Sequence, residues 1–170
     1  MLTSKEATAW VAGRVPDDWF IEAPEVRVDR DEILVIGRLA PPELSGNDDA
    51  GDQAVADRSR IEAWREETRQ ARVRIAQQAE ANLDRTISWG ARCGEQGFIF
   101  TSLSVPVMTR LRMKQRQVLD TLIDAGVARS RSEALAWCVK IVADKQEDWL
   151  ADLRDAIEKV HDVRRQGPAA

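Results

Sequence analysis

Hydrophobic positions recur along this chain at two spacings, and the changes of spacing mark the elements. Residues 3–12 place Trp10 and Val11 behind a Thr3/Glu6 pair spaced as a capping box, with Gly13 as the stop, which predicts a short helix. Pro16-Asp17-Asp18 then reads as a turn. Val26 and Val28 alternate with charged neighbours over 25–29, and 32–39 holds Ile33-Leu34-Val35-Ile36, apolar on both faces. These predict a hairpin turning at Arg30-Asp31, its second strand central in a sheet. Residues 40–57 are rich in Pro, Gly and Asp with little to bury, and predict a mobile acidic loop. Residues 58–83 carry Ile61, Trp64, Ala71, Ile75, Ala79 and Leu83 as one stripe of a long helix. A second hairpin is expected from 85–91 and 98–104, turning through Gly94-Glu95-Gln96-Gly97.

The most informative stretch runs from Val107 to Val142. Residues 107–113 alternate, with Val107, Thr109, Leu111 and Met113 on one side and Met108, Arg110 and Arg112 on the other. That predicts a strand with an apolar-leaning face and a basic face. An alternative register puts the strand on 102–106, but it leaves about twenty residues to Gly126 for the helix that follows. Val118, Leu119, Leu122 and Ile123 share one side of that helix, and Gly126 supplies its stop. Ser130-Arg131-Ser132-Glu133 has capping-box spacing and opens a second helix. Beyond Val142, Trp149, Leu150, Leu153, Ile157 and Val160 continue a helical stripe toward Gly167-Pro168, with no breaker that separates it from the helix at Ser130.

The order strand, helix, Gly126 turn, and helix capped at Ser130-Arg131-Ser132-Glu133-Ala134 resembles the ribbon-helix-helix family of DNA-binding proteins. The resemblance covers about a quarter of the chain, residues 107–145. Lys114 departs from it, standing where a proline often opens the family's first helix. The resemblance implies an obligate homodimer whose two strands pair antiparallel and enter the major groove of double-stranded DNA. The expected fold is α+β: an N-terminal antiparallel sheet with a long helix (1–105), a dimeric ribbon-helix-helix unit (106–145), and a C-terminal helix and tail (146–170).

In that arrangement Met108, Arg110 and Arg112 face the bases. Arginine's fork matches the two acceptors of guanine, and a methionine can meet a thymine methyl. Lys114, Arg129, Ser130, Arg131 and Ser132 fall to the phosphates, since the first N–H groups of a helix lack helical partners and carry partial positive charge. Leu111, Leu119, Leu122, Leu135, Trp137, Cys138, Ile141 and Val142 are expected in the dimer core, because so short a motif buries little alone.

Composition narrows the remaining possibilities. With 44% hydrophobic and 32% charged residues, the 170-residue chain has the balance of a soluble globular protein. It has neither a membrane-length apolar run nor a signal-like N-terminus, so a cytoplasmic location without membrane contact is expected. The net charge of −4 is unevenly placed: −8 over 1–57, +2 over 58–97, +4 over 98–145 and −2 over 146–170. Positive charge thus gathers on the motif. Cys93 and Cys138 make neither a disulfide framework nor a zinc set, and Cys93 is expected in an exposed loop. One histidine, His161, and no phosphate-cradling glycine loop offer no catalytic constellation, so no enzyme, cofactor or metal is expected. Sequence-specific DNA binding in transcriptional regulation is the leading expectation. The alternative is a dimeric interaction or scaffold protein, antitoxin-like included, whose N-terminal domain holds a protein partner or a ligand.

Overall fold

A computed structural model of the chain describes residues 2–44 and 50–166. It is an α+β protein made of two compact units, 1–106 and 107–170. The described residues of 146–170 fall in the second unit with the motif.

Unit 1 opens with α1 (Ser4–Ala12), held by the expected capping box. Thr3 Oγ1 accepts from the Glu6 N–H at 3.2 Å, and the Glu6 carboxylate accepts from the Thr3 N–H at 2.8 Å. Strands β1 (Glu25–Val28), β2 (Glu32–Arg38), β3 (Thr86–Cys93) and β4 (Gln96–Ile99) form one sheet in the order β1-β2-β3-β4. Its two hairpins are antiparallel, but β2 and β3 run parallel over seven residue pairs, from Glu32–Thr86 to Arg38–Arg92. The all-antiparallel sheet expected from sequence is thus corrected to a mixed one. The reason is the connection: a long helical crossover returns the chain to the starting edge, where a hairpin would reverse it. The second hairpin turns on Gly94-Glu95 alone, with Gly94 at φ +52°, tighter than the four-residue turn expected.

That crossover corrects two further expectations. Helix α2 (Ala50–Glu67) begins inside the stretch expected to be a loop, so 50–57 are helical; 45–49 lie outside the described residues. The single helix of 58–83 is divided into α2 and α3 (Arg69–Leu83) at Thr68. The Thr68 hydroxyl donates back to the Trp64 carbonyl at 2.6 Å, a bond that bends helices. The stripe itself holds: Ile61, Trp64, Ile75 and Ala79 are buried. Ala7 and Val11 of α1 join Ile33, Val35, Ile87 and Trp89 of the sheet in the core.

An aromatic cluster closes the helix-covered side. Trp19 meets Trp64 and Trp89 edge-on at centroid distances of 5.4 and 5.9 Å, and Phe20 lies 5.4 Å from Trp64. Gly37 makes room for it: a Cβ built there would lie 1.9 Å from the Phe20 ring. Arg72 is buried, donating to the Thr68 hydroxyl and the Arg65 carbonyl, with its guanidinium over Trp64 and Phe100 at 5.4 and 5.6 Å. Burial pulls its pKa below the ordinary guanidinium value.

Cys93 is not in an exposed loop but at the end of β3, fully buried against Ile61, Trp64 and Leu39. Its Sγ lies 3.5 Å from Asp57 Oδ1, and that oxygen also accepts from the Gln53 amide at 2.9 Å. Desolvation, then the neighbouring carboxylate, pushes the thiol up to about 11. A raised pKa in the folded state means stability that is complete below the unfolded thiol's pKa and lost as pH rises through the folded one. Unit 1 should therefore weaken between pH ~9 and ~11 by on the order of 2–3 kcal/mol. Urea titrations at pH 8 and pH 10.5 should show that loss in the parent and much less of it in Cys93→Ala. Equal losses in both would remove the thiol as the cause.

Candidate nucleic-acid interface

Unit 2 contains α4 (Met113–Asp124), α5 (Arg131–Lys145) and α6 (Glu147–Gln166). Residues 100–112 carry no assigned secondary structure in the single chain, and Met113, expected on the strand, is the first residue of α4. A strand needs a ladder partner, and none of the described residues pairs with 107–112. The segment is still held at its C-terminal end. The Arg112 N–H donates to Gln115 Oε1 at 2.8 Å, and Arg116 Nη1 donates to the Leu111 carbonyl at 2.7 Å. Arg116 is thus a positioning residue for this segment.

Side-chain placement follows the predicted alternation at 110–112. Leu111 is half-buried and packs on the core of unit 2, while Arg110 and Arg112 on either side are exposed. Farther out the contrast disappears, because Val107 and Met108 are 85% and 98% exposed. Lys114 is exposed on the first turn of α4.

The turn and the second cap come close to expectation. Gly126 takes φ +74°, and the Gly126 and Val127 N–H groups donate back to the carbonyls of Ile123 and Leu122, which closes α4. Ser130 caps α5, its Oγ accepting from the Glu133 N–H at 3.2 Å. The reciprocal half differs from a capping box: Glu133 Oε2 accepts from the Arg129 N–H at 2.7 Å, one residue before the cap. Ser132 is exposed beside it.

Among the described residues, the N–H groups of Arg131 and Ser132 have no partner, as phosphate capture would need. The side chains are less free. Arg131 grips Asp120 with both prongs, Nε to Oδ1 at 2.7 Å and Nη2 to Oδ2 at 2.8 Å. That hydrogen bond holds the Asp120 carboxyl below the usual range and raises the pKa of Arg131. Arg131 thus ties α5 to α4, a role that sequence spacing alone did not show. Arg129 Nε lies 3.6 Å from Glu133 Oε2 with its side chain 93% exposed, a weak surface pair that leaves the cation available.

The residues expected in a dimer core fall into two sets. Leu119 is buried within the single chain with Ala128 and Ala134, so it does not wait for a partner; Leu111, Leu122, Leu135 and Cys138 pack around it, half-buried. Ile141 is also half-buried, whereas Trp137 and Val142 remain 40% and 51% exposed.

Among the described residues, no group of three or more His, Cys, Asp or Glu side chains comes together to hold a metal ion. No helix among them is long and apolar enough to cross a membrane.

Comparison with known proteins follows the same division of the chain. Residues 5–99 match the family model described as Rv1265-like protein, N-terminal domain, and residues 112–164 match the Mb1296 C-terminal domain. Met108 and Arg110 lie in the interval between the two matches. The chain is 51% identical over 162 residues to protein Rv1265 of Mycobacterium tuberculosis and to protein Mb1296 of Mycobacterium bovis. Those alignments cover 95% of this chain and 70% of each relative. No solved structure matches. With both units matched in order and half of the aligned residues identical, the chain belongs to the Rv1265-like family.

Proposed function

We propose that the chain is a homodimeric, sequence-specific binder of double-stranded DNA that acts in cytoplasmic transcriptional regulation and carries no catalytic activity. Unit 2 is read as a ribbon-helix-helix module. The observation that carries this reading is the pair Arg110 and Arg112, both exposed around half-buried Leu111 just before α4. Two such segments pairing antiparallel put four guanidinium groups on one surface of a two-stranded ribbon, which fits the major groove. The open N–H groups at the start of α5, with Lys114 and Arg129, supply phosphate contacts that fix the ribbon's register on the duplex. Arg131 contributes its backbone there, since its side chain is engaged by Asp120.

The charge distribution also supports the reading, because the chain is acidic as a whole yet positive over 98–145. Neutralising phosphates releases counterions, so the affinity for a duplex should fall steeply with salt. About six phosphate contacts across a dimer correspond to roughly a thousandfold loss between 50 and 200 mM salt. Fluorescence anisotropy with a duplex pool at stepped salt measures the slope, and a flat one removes DNA from the proposal.

A second reading, that unit 1 holds a ligand or protein partner on a dimeric scaffold, has its own support. A cavity of about 250 Å³ opens beside the aromatic cluster, lined by Trp19, Phe20, Trp64, Arg60, Glu67 and Asp18 among others. The two readings are compatible if unit 1 is the effector domain of the regulator.

A further inference from the structure

Helix α6 spans 20 residues and buries none of them. At 1.5 Å per residue it is about 30 Å long. Trp149, Leu153, Ile157 and Val160 follow one another by four, four and three residues and so share one face, and they are 56%, 40%, 55% and 58% exposed. A continuous apolar stripe of that length marks an interaction surface.

The charges select what covers it. Residues 147–156 hold Glu147, Asp148, Asp152 and Asp155 against Arg154, a net of −3. Residues 157–166 hold Lys159, Arg164 and Arg165 against Glu158 and Asp162, a net of +1. A copy of α6 laid parallel would set like halves together. A copy laid antiparallel sets the acidic half of each on the basic half of the other. One flank supplies a matching pair. Asp152 and Lys159 are seven apart and border the stripe on the same side. With a twofold axis between residues 155 and 156, Asp152 faces the copy's lysine at 159. Charges flanking an apolar seam set the orientation of paired helices.

We propose that α6 pairs antiparallel with α6 of a second copy of this chain. The pairing does not depend on DNA binding. It belongs to a different helix from the arginine-bearing segment, and its readout is the contact between chains.

Charge reversal in the full-length protein tests it. Asp152→Lys alone places lysine opposite lysine, and Lys159→Asp alone places aspartate opposite aspartate. Each should weaken self-association about tenfold in sedimentation equilibrium, and the double variant should restore it. A spin label supplies the geometry, attached at Ala156→Cys or Asp148→Cys in a Cys93→Ala/Cys138→Ala background. Antiparallel pairing gives a short interchain distance at 156 and one of roughly 23 Å along the axis at 148. Short distances at both positions would mean parallel helices, and no interchain distance at either would mean another occupant. Either result overturns the proposal, as does failure of the double charge reversal to rescue. Because these readouts contain no DNA, a loss of duplex affinity leaves them unaffected.

Discussion

Arg110→Ala combined with Arg112→Ala is expected to lower the affinity for a specific duplex by a hundredfold or more while the protein stays folded. Both side chains are exposed, and neither side chain has a protein partner among the described residues. Their removal therefore disturbs no packing, whereas Leu111 between them anchors the segment. Each good bidentate contact to a base discriminates by ~1–3 kcal/mol, and a dimer would lose up to four of them. Even two lost contacts at ~1.4 kcal/mol each give the hundredfold effect. Specific and random duplexes should be measured side by side at one salt concentration. If the double variant keeps its preference for the selected sequence, base reading resides elsewhere and the ribbon assignment is wrong.

The second large effect is expected from Leu119→Ala. This side chain is 4% exposed and sits at the centre of a core whose other buried members, among the described residues, are Ala128 and Ala134. Truncating a buried leucine costs ~2–5 kcal/mol through lost transfer energy and the cavity left behind. So small a unit has little stability to lose. Hydrogen exchange should show protection lost over 131–145 while β2, in the other unit, keeps its own. Equal loss of protection in β2 would mean that the two units do not unfold independently.

Much of the local structure could be read from the sequence. Local signals carried well. The Thr3/Glu6 box, the Gly126 stop and the Ser130 cap each depend on atoms within a few residues, and the structure forms all three caps. The apolar run of β2 correctly implied a central strand, because burial on both faces leaves no alternation. What failed depended on distant contacts. Nothing local to 86–93 says whether it runs with or against β2; the length of α2 and α3 decides that. Helix α2 begins in an Asp- and Gly-rich stretch of low propensity, and Asp57 within it is buried beside Cys93 by tertiary packing. Arg131 looked free for a phosphate because its partner, Asp120, sits eleven residues earlier on another helix. The exposure of Arg110 and Arg112 around half-buried Leu111 was legible from alternation, whereas the pairing proposed for two such segments is a property of two chains.

Gly37 has a consequence for how unit 1 tolerates change. The Phe20 ring occupies the volume that any side chain at 37 would need, so the sheet and the segment before it interlock through a missing atom. Even a methyl group would push the ring off its seat beside Trp19 and Trp64 and reshape the wall of the cavity they line. The shape of that recess is therefore dictated from beneath, by a backbone position that never touches what enters it.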